Sequence, residues 1–428
     1  MQYPNHSFVL HGDLCYAAAR DRLVTQRGGY LVCVDGLSQG VFAQCPEEFR
    51  HLPQYDYADQ LIIPGLTDLH MHAPQFSFRS VGLDMELLDW LNTYTFPEES
   101  KYADLTYAKT AYSHFVHDIL RGPNTRACLF GTLHVDATIA LMDQLEQAGL
   151  VTMVGKVNMD RNGAPTLQEA SAEASAQATR RWLEAIDGRY AHTKPILTPR
   201  FIPSCSDKLM GMLGEIQKQY RLPVQSHLSE NLGEIAWVKE LCPGTKHYGG
   251  AYDQFGLFGG ADCPTIMAHC VWSSDDEIAL MRERGVYMAH CAASNSNLAS
   301  GIAPVRRFLN AGVPVGLGSD IAGGTHTSML RAMVDSIQAS KLCWRLIDQD
   351  LQPLSVTEAF WLGSVGSGSF FGKVGSFEEG YECDAVVISD ARYNHAGPEN
   401  LATRLERTIY LSEDQDVQHK FVQGRKLF

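Results

Sequence analysis

The chain has 428 residues, 45% hydrophobic and 20% charged, which is enough for a large core and exceeds the roughly 250 residues of a typical (β/α)8 barrel. Its 35 Lys and Arg face 49 Asp and Glu for a net charge of -14, which argues against nucleic-acid binding by counterion release and suits a small neutral substrate. Eleven cysteines with no CxxC pair, no leader-like stretch at Met1–Ser7 and no apolar run approaching the roughly 18 residues of a bilayer span lead us to expect a cytoplasmic protein without membrane contact.

Residues 1 to about 60 lack the helical period and carry short β-type runs separated by glycines, Ser7-Phe-Val-Leu10 and Tyr30-Leu-Val-Cys-Val34. From residue 61 onward short apolar runs alternate with longer stretches of helical period. The runs are Leu61 to His72, Arg126 to Val135, Leu150 to Met159, Lys194 to Ile202, and those beginning near 224, 265, 286 and 313. Eight such βα units predict a closed parallel barrel, with a doubly wound open sheet as the alternative. Between them, Ser206 to Tyr220 puts Leu209, Met212, Leu213, Ile216 and Tyr220 on one helical face, with Ser206 as cap. Thr166 with Glu169, and Ser274 with Glu277, have capping-box spacing. The end of the chain returns to strands and a turn, Asp384 to Ser389 and Lys420 to Phe428. The expected architecture is therefore α/β, a TIM-like barrel over 61–375 flanked by a small β-sandwich from 1–60 and 376–428.

Chemistry-bearing residues recur at the ends of these runs. His70 and His72 are two apart on a strand, so both point to one side and can grip one metal ion. His227, His269 and Asp320 close three further runs. Neutral imidazole and carboxylate are zinc ligands, and four strand ends converge only at the C-terminal mouth of a barrel. His70, His72, His227 and Asp320 are expected to bind the metal with a position left for water, and His269 to be a fifth ligand or a donor to that water. Zinc lowers the pKa of its water to about 7, which makes hydroxide available. Glu230, three residues after His227, is placed to shuttle a proton, and Asp320 can also accept one. His134, His192 and His247 read as ordinary histidines, Lys156 as structural and His326 as solvated. The Gly366-Ser-Gly368 stretch reads as a turn. Neither HExxH nor the H-x-E with PCxxC of cysteine-ligated deaminases occurs.

The series His70-Met-His72, His227, His269 and Asp320 on successive strands resembles the amidohydrolase superfamily, which pairs this barrel with a β-sandwich from both termini. Within it, His72-Ala-Pro-Gln75, Leu88-Asp-Trp-Leu-Asn-Thr-Tyr-Thr-Phe-Pro97, Gly155 to Asp160, Thr198-Pro-Arg-Phe201 and Ser226-His-Leu-Ser-Glu230 are similar to the guanine deaminases. That resemblance runs over essentially the whole chain. It implies hydrolysis of guanine to xanthine and ammonia, one zinc ion per chain and a homodimer. It also implies that Gln75, Arg200 and Phe201, together with His227, hold the purine. The chemistry agrees: Arg200 only donates, so it recognises the carbonyl at C6 of guanine and would be left unpaired by adenine. Gln75 offers a donor and an acceptor, and Phe201 a ring face. The chain departs from the family at His290-Cys-Ala-Ala293 and Gly122-Pro-Asn-Thr-Arg126. The rival readings are a zinc aminohydrolase of another aromatic N-heterocycle, such as a pterin or triazine, and a metal-free binding scaffold.

Overall fold

Parallel pairing is what the alternation of apolar runs and helical stretches demands, and the computed structural model, which describes residues 6–393 and 400–428, shows it. Strands Leu66–His72, Asn124–Phe130, Val151–Gly155 and Thr193–Pro195 form one parallel sheet. Val224–Leu228, Thr265–His269, Tyr287–His290 and Val315–Leu317 form a second. Two seams join them. Gln225 N donates to the Leu197 carbonyl at 3.0 Å on one side, and Asp320 N donates to the His70 carbonyl at 2.8 Å on the other. The sheet is therefore a closed barrel and not an open one. The fourth strand is interrupted because Pro195 and Pro199 bring no N–H to the ladder; Thr198–Pro199 pairs with Val157–Asn158 instead.

Leu69, Cys128, Ile196, Ile266, Ala268, Ala289 and Cys291 fill the barrel interior, so the fold is solid beneath its mouth. Helices cover the outside. Helix Leu105–Arg121 begins at Asp104, whose carboxylate accepts from Thr106 N at 2.8 Å, and buries Ala108, Tyr112, Phe115 and Ile119 along one stripe. Helix Asp207–Tyr220 starts at the expected cap, with Ser206 Oγ accepting from Leu209 N; Leu209, Leu213 and Ile216 are buried, while Met212 and Tyr220 are only partly so. Ser274 caps helix Asp275–Arg284 as its spacing predicts. Thr166 caps nothing: the helix there begins at Ala172 under Ser171, and Glu169 is drawn away by the buried ammonium of Lys156. The Gly366-Ser-Gly368 stretch is helical and not the expected turn.

Both termini build a single seven-stranded sheet in the order Arg425–Lys426, Val417–Val422, Ala385–Ile388, Gln54–Pro64, Phe8–Ala19, Arg22–Val34, Leu37–Phe42. It folds over on itself. Phe8 and Phe421 stand three strands apart, about 14 Å in a flat sheet, yet their ring centroids are 4.8 Å apart. Together with Leu10, Leu14, Leu31, Ala385 and Val387 they close a separate apolar core. The apolar run from Leu61 to His72 is one run in sequence and two strands in space. Residues up to Pro64 stay in the terminal sheet, and the barrel begins after Gly65, where a Cβ would lie 2.3 Å from the Thr125 side chain. The break between the two units thus falls at Gly65 and not at residue 60.

Candidate active site

Four strand ends bring the histidines and the aspartate together at the mouth of the barrel. His70 and His72 point the same way from the first strand, and Asp320 follows the eighth; Asp320 Oδ1 lies 3.2 Å from His70 Nε2 and 3.5 Å from His72 Nε2. His227 Nε2, from the fifth strand, is 3.2 Å from His72 Nε2. His269 Nε2, from the sixth, is 3.7 Å from Asp320 Oδ2. His269 and Asp320 have φ of 72° and 49°, left-handed conformations that cost non-glycine residues on the order of 1 kcal/mol each. Such strain persists where the surroundings dictate a side chain's aim.

The donor set fits a divalent metal of the zinc type. His70, His227 and His269, and likewise His70, His72 and Asp320, offer ligand atoms within 4.8 Å of one another. His70 is wholly buried, with neither ring nitrogen hydrogen-bonded, a costly arrangement for an imidazole that holds nothing. Two rings have their outer nitrogens engaged. His227 Nδ1 donates to the Arg200 carbonyl at 2.6 Å, and His269 Nδ1 meets Asn295 Oδ1 at 2.8 Å, leaving each Nε2 turned inward.

Electrostatics prepare the same state. Burial, and then the charge of His70, holds His72 and His227 well below the ordinary histidine value, so both are neutral and have a free lone pair. Burial opposes ionisation of Asp320, but His70, His269 and His72 outweigh it and keep the carboxyl well below its usual range. Burial lifts Glu230 to about 7, against the pull of His269. The Glu230 carboxylate accepts from Ser300 Oγ at 2.9 Å through Oε1, while Oε2 faces His269 Nε2 at 3.5 Å. A carboxyl balanced near neutrality, with one oxygen tethered by Ser300 and the other turned toward His269, is suited to moving a proton.

A cavity opens above this cluster, lined by His72, Gln75, Arg200, Phe201, His227, Glu230, His269 and Asp320. Every site residue read from the sequence is thus at the cavity wall except His70, which lies beneath it. Lys156 is apart, paired with Glu169. His326 is exposed, and is not among the residues lining the cavity.

Several participants escape the sequence. Leu87, Trp90, Leu91 and Leu298 supply the apolar wall. Glu99 supplies a carboxylate that accepts from both terminal nitrogens of Arg200, at 3.1 Å from Nη2, and from Gln75 Nε2 at 2.8 Å. It comes from helix Phe96–Ser100, whose Phe96 ring also lies 5.2 Å beneath the Arg200 guanidinium. Glu234 accepts from the backbone N–H of Glu230 at 3.1 Å and from the Tyr248 hydroxyl at 2.8 Å. Acidic residues are frequent in first helical turns, and nothing local distinguishes these two.

Residues 61–427 match the amidohydrolase family. A guanine deaminase of Dictyostelium discoideum is 37% identical over 380 residues, covering 87% of this chain and 83% of that protein. A guanine deaminase of Homo sapiens is 35% identical over 395 residues, covering 89% and 85%. The crystal structure of guanine deaminase from C. acetobutylicum with bound guanine in the active site superimposes with a TM-score of 0.95 at 44% identity, covering 99% of this chain and all of that one.

Proposed function

The chain belongs to the amidohydrolase family, and we propose that it hydrolyses guanine to xanthine and ammonia with zinc as its metal. The observation that carries this reading is the sharing of one cavity by the histidine and aspartate cluster and by Arg200 with Gln75, in a fold whose solved relative holds guanine. His70, His72, His227 and Asp320 would hold the ion, with His269 beside them. Zinc bound there supplies Lewis acidity and brings the pKa of a water down to about 7.

This chain's own residues do the rest. Arg200 retains three of its five N–H donors after its two bonds to Glu99 and gives one to the carbonyl oxygen at C6. Gln75 reads the pyrimidine edge, and Phe201 packs on the ring face. This pose presents C2 to the metal side. Glu230 takes a proton from the water as its oxygen bonds to C2, and delivers it to the adjacent ring nitrogen. Asp320 accepts the second proton of the water and returns it to the amine as the C2–N bond breaks and ammonia leaves. Water is consumed and no redox partner is needed.

The reading extends to one zinc ion per chain, a homodimer and a cytoplasmic location. The donor set is compact enough for a single ion, and the cysteines are all free, as a reducing compartment keeps them. Among the described residues no helix is long and apolar enough to cross a membrane. The test is to incubate the purified protein with aminopurines, aminopyrimidines, pterins and triazines and to follow amine-for-oxygen exchange by mass spectrometry. Selective conversion of guanine supports the proposal; survival of guanine while another heterocycle is consumed overturns the substrate.

A further inference from the structure

We propose that Glu99 is a positioning residue that cancels the charge of Arg200, so that the cavity binds a neutral lactam base and releases the more acidic dioxo product. The inference rests on the guanine reading above. Arg200 is 3% exposed and Glu99 2%, and the carboxylate accepts from both Nη atoms in fork geometry. Gln75 is fixed at both ends, since Nε2 donates to Glu99 and Oε1 accepts from Ala322 N at 3.2 Å. The two groups that read the base are therefore aimed by one carboxylate that does not line the cavity.

The chemistry of the product makes the charge matter. Xanthine has carbonyls at both C2 and C6, and their oxygens share the negative charge left when a ring N–H is lost. It is thus a stronger acid than guanine and is partly anionic above neutrality. An uncompensated guanidinium in a buried cavity attracts that anion strongly. With Glu99 in place, Arg200 offers directed donors and little net charge, so it adds no preference for the anion beyond what the metal side of the cavity exerts equally in every variant. The remaining charged or titratable groups at the cavity, His72, His227, Glu230, Glu234, His269 and Asp320, are the same for substrate and product.

The test compares binding of xanthine with that of hypoxanthine, which keeps the C6 carbonyl and is less acidic, by calorimetry on the zinc-loaded enzyme somewhat above neutrality. Glu99→Gln removes the charge at nearly constant shape. The expected result is a preference for xanthine over hypoxanthine about tenfold greater than in the wild type. Glu99→Asp should stay near the wild-type ratio, and Glu99→Gln combined with Arg200→Gln should return to it because both charges are gone. Arg200→Gln alone leaves Glu99 uncompensated and should shift the ratio against xanthine, which keeps the idea testable if Glu99→Gln fails to fold. Unchanged ratios in Glu99→Gln, or in Arg200→Gln if that variant alone folds, overturn the inference while the guanine reading stands. A wild type that does not turn over guanine overturns both.

Discussion

His227 donates through Nδ1 to the main-chain carbonyl of Arg200 at 2.6 Å. The ring proposed to bind metal is therefore aimed by the peptide unit of the residue proposed to read the base. Chemistry and recognition meet where the ends of two neighbouring strands touch, so a side-chain change at Arg200 can alter recognition while the carbonyl goes on holding His227.

Arg200→Met separates guanine from rival heterocycles. Loss of the donor to the C6 carbonyl should lower kcat/KM for guanine by about 100-fold or more, with zinc content maintained because His227 keeps its main-chain partner. Steady-state kinetics with metal analysis decides it, and guanine turnover within a few-fold of the wild type would remove Arg200 from recognition.

Glu230→Gln keeps the shape of the side chain and its contact with Ser300 but cannot carry the proton. We expect kcat to fall by about 100-fold to 10,000-fold with zinc retained. Near-normal turnover in a zinc-loaded variant would assign the proton transfer elsewhere.

Removal of metal by a chelator should abolish turnover, and added zinc should restore it, with one ion per chain by elemental analysis. Asp320→Asn should weaken the retained metal as well as the rate, since it removes the carboxylate that, among the described residues, belongs to the donor cluster. Full activity after exhaustive chelation would favour a metal-free reading.

Asn295→Leu tests the aim of His269. The amide oxygen accepts from the ring at 2.8 Å, and its loss frees the ring to turn or change tautomer. A drop of about 10-fold or more in activity or metal affinity is expected. A kinetically silent variant would show that packing alone holds His269.

Lys420 gives a prediction about stability. Burial pushes its ammonium down to about 7, and Nζ donates to the carbonyls of Ile119 and Asn124 at 3.0 and 2.8 Å, as a neutral amine can. The folded value lies below the unfolded one of about 10.4. The unfolded chain therefore binds the extra proton between these values, and stability is full above about pH 10 and declines as pH falls toward 7. The Tm of the wild type relative to Lys420→Met should rise between about pH 7 and 9.5. A constant difference would show that Lys420 is charged in the folded protein.

Much of the site was legible because strand geometry is local. A period of two puts His70 and His72 on one side, and apolar runs that end in His227, His269 and Asp320 put those residues at one end of the sheet. Thr198-Pro-Arg-Phe201 was marked differently, by its resemblance to the guanine deaminases, since no period or spacing singles out Arg200. The capping box that the spacing of Thr166 and Glu169 predicts does not form, because spacing alone cannot register the ion pair that Lys156 offers Glu169 from another strand. The run from Leu61 to His72 concealed a change of sheet, since hydrophobicity does not state which neighbour a strand will pair with.

The sequence by itself determined the barrel and the metal-type donors, because periodicity and side-chain chemistry act over a few residues, while Arg200 was marked by the resemblance of its motif to the guanine deaminases. Only the tertiary structure decided that Glu99 pairs with Arg200 across 101 residues of chain, that Asn295 meets His269, and that Ser300 tethers one oxygen of Glu230. Those pairings depend on the helices and turns that follow the strands packing over the barrel mouth, where a carboxylate or amide finds its partner through burial and distance and not through its place in the chain.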